Sequence, residues 1–206
     1  GNETDVIYIA HPYYAKEKYD FWKKKYKEEC NANLIVIGVS SNDYGSKEMK
    51  RSHAILKYLI DNEDVYKSVI FHDFMGLACY TVLAKRSSLA LSNVELIISA
   101  HGNHTLSNFF GEKKIPHWDQ KAIIFMEKES LKYADLITTP SAYYKKWIID
   151  NFTVDHKKIM VMPNIIYNEK KSNQEINISF KEQENKLIVF YGRMERLKGL
   201  DLFIET

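Results

Sequence analysis

An α/β fold with a doubly wound parallel sheet, helices on both faces, is the architecture this sequence predicts. Three observations point to it. Short apolar runs alternate with longer amphipathic stretches along the 206 residues. Several runs, such as 34–39, are apolar without a break, which suits a parallel strand covered on both sides. The runs also stop at His, Asp, Asn, Gly and Pro, residues suited to the carboxyl ends of strands, where open α/β sheets bind ligands.

The elements follow in order. Residues 6–10 read as a first buried strand. Over 16–30, Tyr19, Phe21, Trp22 and Tyr26 recur at helical spacing among lysines and glutamates. Residues 34–39 form a second strand, 40–46 a loop by composition, and 49–59 a helix. A third strand at 69–71 is stopped by His72 and Asp73, and a helix over 76–85 follows. A fourth strand at 94–99 is stopped by His101 and Gly102. Residues 105–117 read as a polar loop and 120–133 as a helix carrying Glu127 and Glu129. A fifth strand at 136–139 ends at Pro140, and Ser141 is placed to cap a helix reaching about residue 151. A sixth strand at 159–162 ends at Pro163 and Asn164. Residues 169–185 are polar and charged, as in a linker. A seventh strand is expected at 187–191, then a loop, then a helix from Gly199.

Composition narrows the function classes. An aromatic content of 13% excludes a disordered chain, and 8 Gly with 4 Pro exclude collagen-like or linker character. A net charge of +2, with lysines spread among glutamates, argues against a nucleic-acid surface. No run approaches the roughly 18 apolar residues of a membrane span, and no signal-peptide pattern opens the chain. Cys30 and Cys79 are far apart and read as reduced thiols, so the cytoplasm is the expected compartment. Among 29 Lys plus Arg, the arginines are Arg51, Arg86, Arg193 and Arg196, two of them in one short segment.

That segment is the sharpest local signal. Gly192, Arg193 and Lys198 lie between an expected strand and an expected helix. Glycine permits close backbone approach, helix amides offer positive partial charge, and Arg with Lys supplies donors for a diphosphate. A basic surface turn with a helix cap is the plainer alternative. At the other strand ends, His72, Asp73, His101, Gly102, Asn103 and Asn164 are the candidate cleft residues. Asp73 has an equally weighted alternative as the cap of the following helix.

Taken together, these stretches resemble the GT-B glycosyltransferases of family 4, from about residue 69 onward. Residues 189–202 resemble the family's "vGR…KG.d.li" signature, 94–103 its "vvt.HG" strand and loop, 127–141 its "E…l..AD.vi..S" stretch, and 159–165 its "ki.viPNGvd". The resemblance implies two Rossmann-like domains. Here residues 1–168 would be the N-terminal acceptor-side domain and 169–185 the linker. Residues 186–206 would be the first strand and helix start of a truncated C-terminal nucleotide-sugar domain. It further implies transfer of a sugar, with retention of configuration, from a nucleotide diphosphosugar to a glycan or lipid-linked acceptor. No metal or other cofactor is required on this reading. Gly192, Arg193 and Lys198 would hold the donor diphosphate, an electrostatic role. His101 would be the catalytic HG-loop histidine, with His72, Asp73, Gly102, Asn103 and Asn164 facing acceptor or cleft. Glu127 would be structural. The chain alone is expected to be inactive.

Two other readings remain open at this level. One is a non-catalytic α/β ligand-binding module with a complete pocket inside 1–168. The other is a metal-dependent hydrolase using His72, Asp73, His101 and His104, although DxH-type spacings are absent. Lys145, Lys146, Trp147 and Ile148 offer a basic-aromatic patch for peripheral membrane contact, against the alternative that Trp147 belongs to the core.

Overall fold

A computed structural model describes residues 4–10, 16–40, 44–110, 118–165, 189–194 and 198–205. Strand β1 (Thr4–Ile9) is followed by helix α1 (Lys16–Cys30), β2 (Ala32–Ile37) and α2 (Lys47–Asp61). Then come β3 (Ser68–His72), α3 (Cys79–Arg86), β4 (Glu95–Ser99), α4 (His104–Phe110), α5 (Trp118–Tyr133) and β5 (Leu136–Thr139). Helix α6 (Ala142–Asn151), a 3₁₀ turn (His156–Lys158), β6 (Ile159–Val161) and α7 (Leu200–Glu205) complete the order. Every paired strand is parallel, and helices flank the sheets, so the α/β class predicted from the sequence is the fold observed.

The strands form two sheets rather than the single sheet the alternation suggests. β1 pairs with β2, and β3-β4-β5-β6 form the second sheet in chain order. Side chains join the two sheets: the Tyr66 hydroxyl donates to Asp5 Oδ2 at 2.9 Å, while Ile7, Ile9 and Ile37 pack against the core of the larger sheet.

That core explains why the middle of the chain folds as it does. Leu96 and Ile98 of β4 and Ile137 of β5 are wholly buried, with Leu59, Val82, Leu131 and Ile148 of the covering helices. Each such side chain contributes roughly 1.5–3 kcal/mol on burial. Asp135, just before β5, ties the sheet's lower end together. Its Oδ2 accepts from the Leu96 amide at 2.8 Å and from Lys85 Nζ at 2.6 Å. Ser46 and Ser141 cap α2 and α6, accepting from the amides of Met49 and Tyr144. Trp147 is buried against Tyr144 and Phe152, with ring centroids 5.7 and 5.5 Å away. It therefore belongs to the core and not to a surface patch.

Several expectations are corrected. The stretch read as a loop from residue 105 starts as helix α4, because Asn103 Oδ1 accepts from the Leu106 amide at 2.9 Å and caps it. Residues 111–117 of that expected loop lie outside the described residues. Helix α3 starts at Cys79 rather than Gly76, because Met75 and Gly76 take φ of 69° and 63°, which helical backbone cannot use. The sixth strand stops at Val161. Of the expected seventh strand, residues 189–191 carry no strand pairing among the described residues, and 187–188 lie outside them. The linker expected at 169–185 is likewise outside.

Helix α1 packs on β2 and leaves an open groove of about 710 Å³ lined by Tyr8, Tyr19, Phe21, Trp22, Tyr26 and Leu34. The aromatic spacing read from the sequence is thus helical, with Tyr19 and Tyr26 half-buried and Phe21 and Trp22 exposed.

Candidate functional site

The carboxyl ends of β3 and β4 lie side by side, His72 opposite Ser99 in register. The chain leaves each strand through a short polar turn, and the two turns are fastened to one another. Asp73 is the first fastening. It is 2% exposed, and its carboxylate accepts the His101 amide at 3.0 Å, the Gly102 amide at 3.2 Å and the Tyr144 hydroxyl at 2.7 Å. Asp73 is therefore no helix cap. α3 opens at Ala78 with no side-chain cap bond, and the Asp73 carboxylate bonds go to the neighbouring turn and to α6.

Tyr144 is the second fastening. Its hydroxyl donates to Asp73 Oδ2 from the buried face of α6. Burial, then the neighbouring Asp73 charge and the hydrogen bond to it, push the phenol above its ordinary range, so it stays a neutral donor.

Glu127, from the middle of α5, is the third. It is 0% exposed, with Oε2 accepting the His104 amide at 2.9 Å. Oε1 accepts the Met75 amide at 2.9 Å and lies 2.7 Å from His104 Nδ1. Burial raises its carboxyl above the usual range, and the bonds from His104 and Met75 oppose that rise. Three amides of the 101–104 stretch thus end on buried carboxylates: those of His101 and Gly102 on Asp73, and that of His104 on Glu127.

Gly76 permits this closeness. A Cβ there would stand 2.3 Å from Met126 Cβ and 3.1 Å from the Glu127 amide nitrogen. Gly102 has φ +150°, a backbone conformation that L side chains rarely adopt, so the turn that presents both its own and the neighbouring amide to Asp73 needs glycine.

What this scaffold presents is a set of imidazoles. His101 is exposed; its Nε2 lies 3.0 Å from Ser99 Oγ, and its ring centroid is 6.1 Å from that of His72. The His104 ring stacks on Phe74, centroids 4.5 Å apart and planes 7° apart. Imidazoles can donate to or accept from hydroxyls, and the fixed backbone beneath them sets where they stand.

The structure therefore gathers His72, Asp73, His101, Gly102 and Asn103 in one cluster. Within it, Asp73 and Asn103 are buried: Asp73 holds backbone, and Asn103 caps α4 while its Nδ2 lacks a partner. Asn164 is exposed beyond β6. Gly192 and Arg193 lie exposed in 189–194 and Lys198 exposed before α7. None of these four supplies a bond of the network above. Sequence reasoning did not assign Tyr144 to the site, and it gave Glu127 a structural place without its partners. The available signal was a glutamate adjoining Met126 on the face of α5 that also buries Ile123, Ser130 and Leu131. Among the described residues, no three His, Cys, Asp or Glu side chains are grouped to hold a metal ion, which is what a hydrolase built on His72, Asp73, His101 and His104 requires. Among the same residues, no helix is long and apolar enough to cross a membrane.

Comparison with known proteins adds one firm result. A family model described as Glycosyltransferase Family 4 matches residues 5–170. No curated protein matches the chain at a significant level.

Proposed function

Because this chain belongs to Glycosyltransferase Family 4, we propose that it transfers a sugar from a nucleotide diphosphosugar to the hydroxyl of a glycan or lipid-linked acceptor. The observation that carries the reading is the strand-end cluster, which lies where an open α/β sheet binds its ligand and inside the matched region. In the reaction the acceptor oxygen bonds to the anomeric carbon. The bond from that carbon to the diphosphate oxygen breaks, the nucleoside diphosphate leaves with the electron pair, and the acceptor hydroxyl gives up its proton. Negative charge grows on the leaving diphosphate. Arg193 and Lys198 are the groups we assign to it, with Gly192 allowing close approach; a guanidinium fork and an ammonium suit its oxygens. His101, exposed above the Asp73-held turn, is assigned to the reacting sugar, with His72 beside it. Asn164, at the end of β6, is assigned to the cleft. Retention of anomeric configuration and independence from metal belong to the same proposal.

The test is calorimetric titration of the 206-residue chain and of a longer natural form carrying the rest of the family's second domain, each against UDP- and GDP-sugars. Binding and transfer by the longer form, and weak binding by the 206-residue chain, support the split site. Tight nucleotide binding by the 206-residue chain contradicts it. Tight sugar binding without turnover by either form favours the ligand-binding module instead.

A further inference from the structure

The cluster contains one imidazole whose orientation is fixed more completely than the others. His104 opens α4. Its backbone amide donates to Glu127 Oε2 and its Nδ1 lies 2.7 Å from Glu127 Oε1. Both Glu127 oxygens already accept backbone amides, from Met75 and His104, and amides cannot reverse their role. Three converging donors suit a carboxylate, so Nδ1 is the side of the ring that carries hydrogen. The Phe74 ring, parallel to it at 4.5 Å, blocks rotation out of that plane. The other nitrogen, Nε2, has no partner among the described residues, and it is not among their buried unsatisfied atoms, while the side chain is 17% exposed. Nε2 therefore meets solvent as a lone-pair acceptor held at the end of a rigid chain of contacts.

We propose that Glu127 is a positioning residue that locks His104 in the Nδ1–H form, and that Nε2 of His104 accepts a hydrogen bond from a sugar hydroxyl. The second half rests on the transferase reading; the first stands on geometry alone. Sugars offer hydroxyl donors in fixed directions, and an acceptor that cannot rotate or change tautomer selects among them.

The test begins with ¹⁵N-histidine labelling of the 206-residue chain at about pH 8, where imidazoles are mostly neutral. His104 is identified by the signal lost in His104→Gln. The expected spectrum shows hydrogen on Nδ1 and a bare Nε2. In Glu127→Gln, whose amide can turn an N–H toward the ring, the population shifts toward Nε2–H. Hydrogen on Nε2 in the unmodified chain overturns the proposal whether or not the Glu127 variant folds. In the form that transfers sugar, His104→Phe is expected to raise KM about tenfold with little change in kcat, the size of one lost hydrogen bond. His104→Gln, which places an oxygen near the Nε2 position, is expected to restore KM to within about threefold on the same scale. Equal KM in all three overturns the hydroxyl contact. A chain with the Nδ1–H form that transfers no sugar in any form sinks the transferase reading and leaves the Glu127 role standing.

Discussion

Three amides of the 101–104 loop end on buried carboxylates from two other parts of the chain, Asp73 and Glu127. Gly192, Arg193 and Lys198, by contrast, are exposed, on stretches where no described residue is fully buried. The contrast separates two ways of building a transferase site. On the side proposed for the acceptor, positions are set by the core, before any ligand arrives. On the side proposed for the donor, charge is displayed at the surface, where a diphosphate is proposed to bind. Substitutions in the first region should therefore act on folding and geometry together, and those in the second on binding alone.

The largest effect is expected at Gly76. Alanine there must hold φ near +63° and bring its Cβ to 2.3 Å from Met126. Overpacking and strain together should cost about 4 kcal/mol in urea unfolding, more than many domains of this size can lose and still fold well. A loss under about 1 kcal/mol would mean that α3 and α5 do not approach as closely as described.

Asp73→Asn comes next. The amide keeps one acceptor but faces donors with its nitrogen, so an amide of the 101–102 turn or the Tyr144 hydroxyl is left unpaired. The expected loss is about 2 kcal/mol, and Tyr144→Phe combined with it should add much less than it costs alone. Simple additivity would show that the two side chains do not share a network.

A smaller effect, in pH rather than midpoint, is expected from Glu127. Burial raises its carboxyl, so the folded protein holds that proton where the unfolded chain has released it. This contribution is complete below the unfolded carboxyl range near about 4.3 and declines as pH rises through the folded value. Glu127→Gln should remove that decline from a stability–pH profile. Parallel profiles for the two proteins would count against the raised carboxyl.

The smallest change in stability is expected at Arg193 and Lys198. Either alanine variant should stay within about 0.5 kcal/mol of the parent in unfolding while losing nucleotide-sugar affinity in the longer form. Unfolding losses comparable to those at Asp73 would erase the contrast between the regions.

The sequence made the larger sheet legible because its strands are continuous apolar runs that need no distant partner to be recognised; Leu96, Ile98 and Ile137 are wholly buried. It also located His72, Asp73 and His101, since polar residues ending such runs mark the ligand edge of an α/β sheet. What it left hidden depends on long-range pairing. Glu127 meets Met75 from 52 residues away, and Tyr144 meets Asp73 from 71 away. The late start of α3 lies at the same contact: Met75 and Gly76 take positive φ where Gly76 stands against Met126 and Glu127 of α5. Helix α4 lies in a stretch whose polar composition reads as a loop; its cap, Asn103, takes the Leu106 amide. The division into two sheets left no mark in the apolar pattern of either strand.

The central claim is that buried side chains hold the 101–104 loop rigid. Amide hydrogen exchange in the 206-residue chain tests it most directly. Slow exchange is expected at His101, Gly102 and His104 compared with 189–194, with Asp73→Asn accelerating His101 and Gly102 and leaving His104 protected by Glu127. Exchange of these three amides as fast as that of the exposed 189–194 stretch would contradict it.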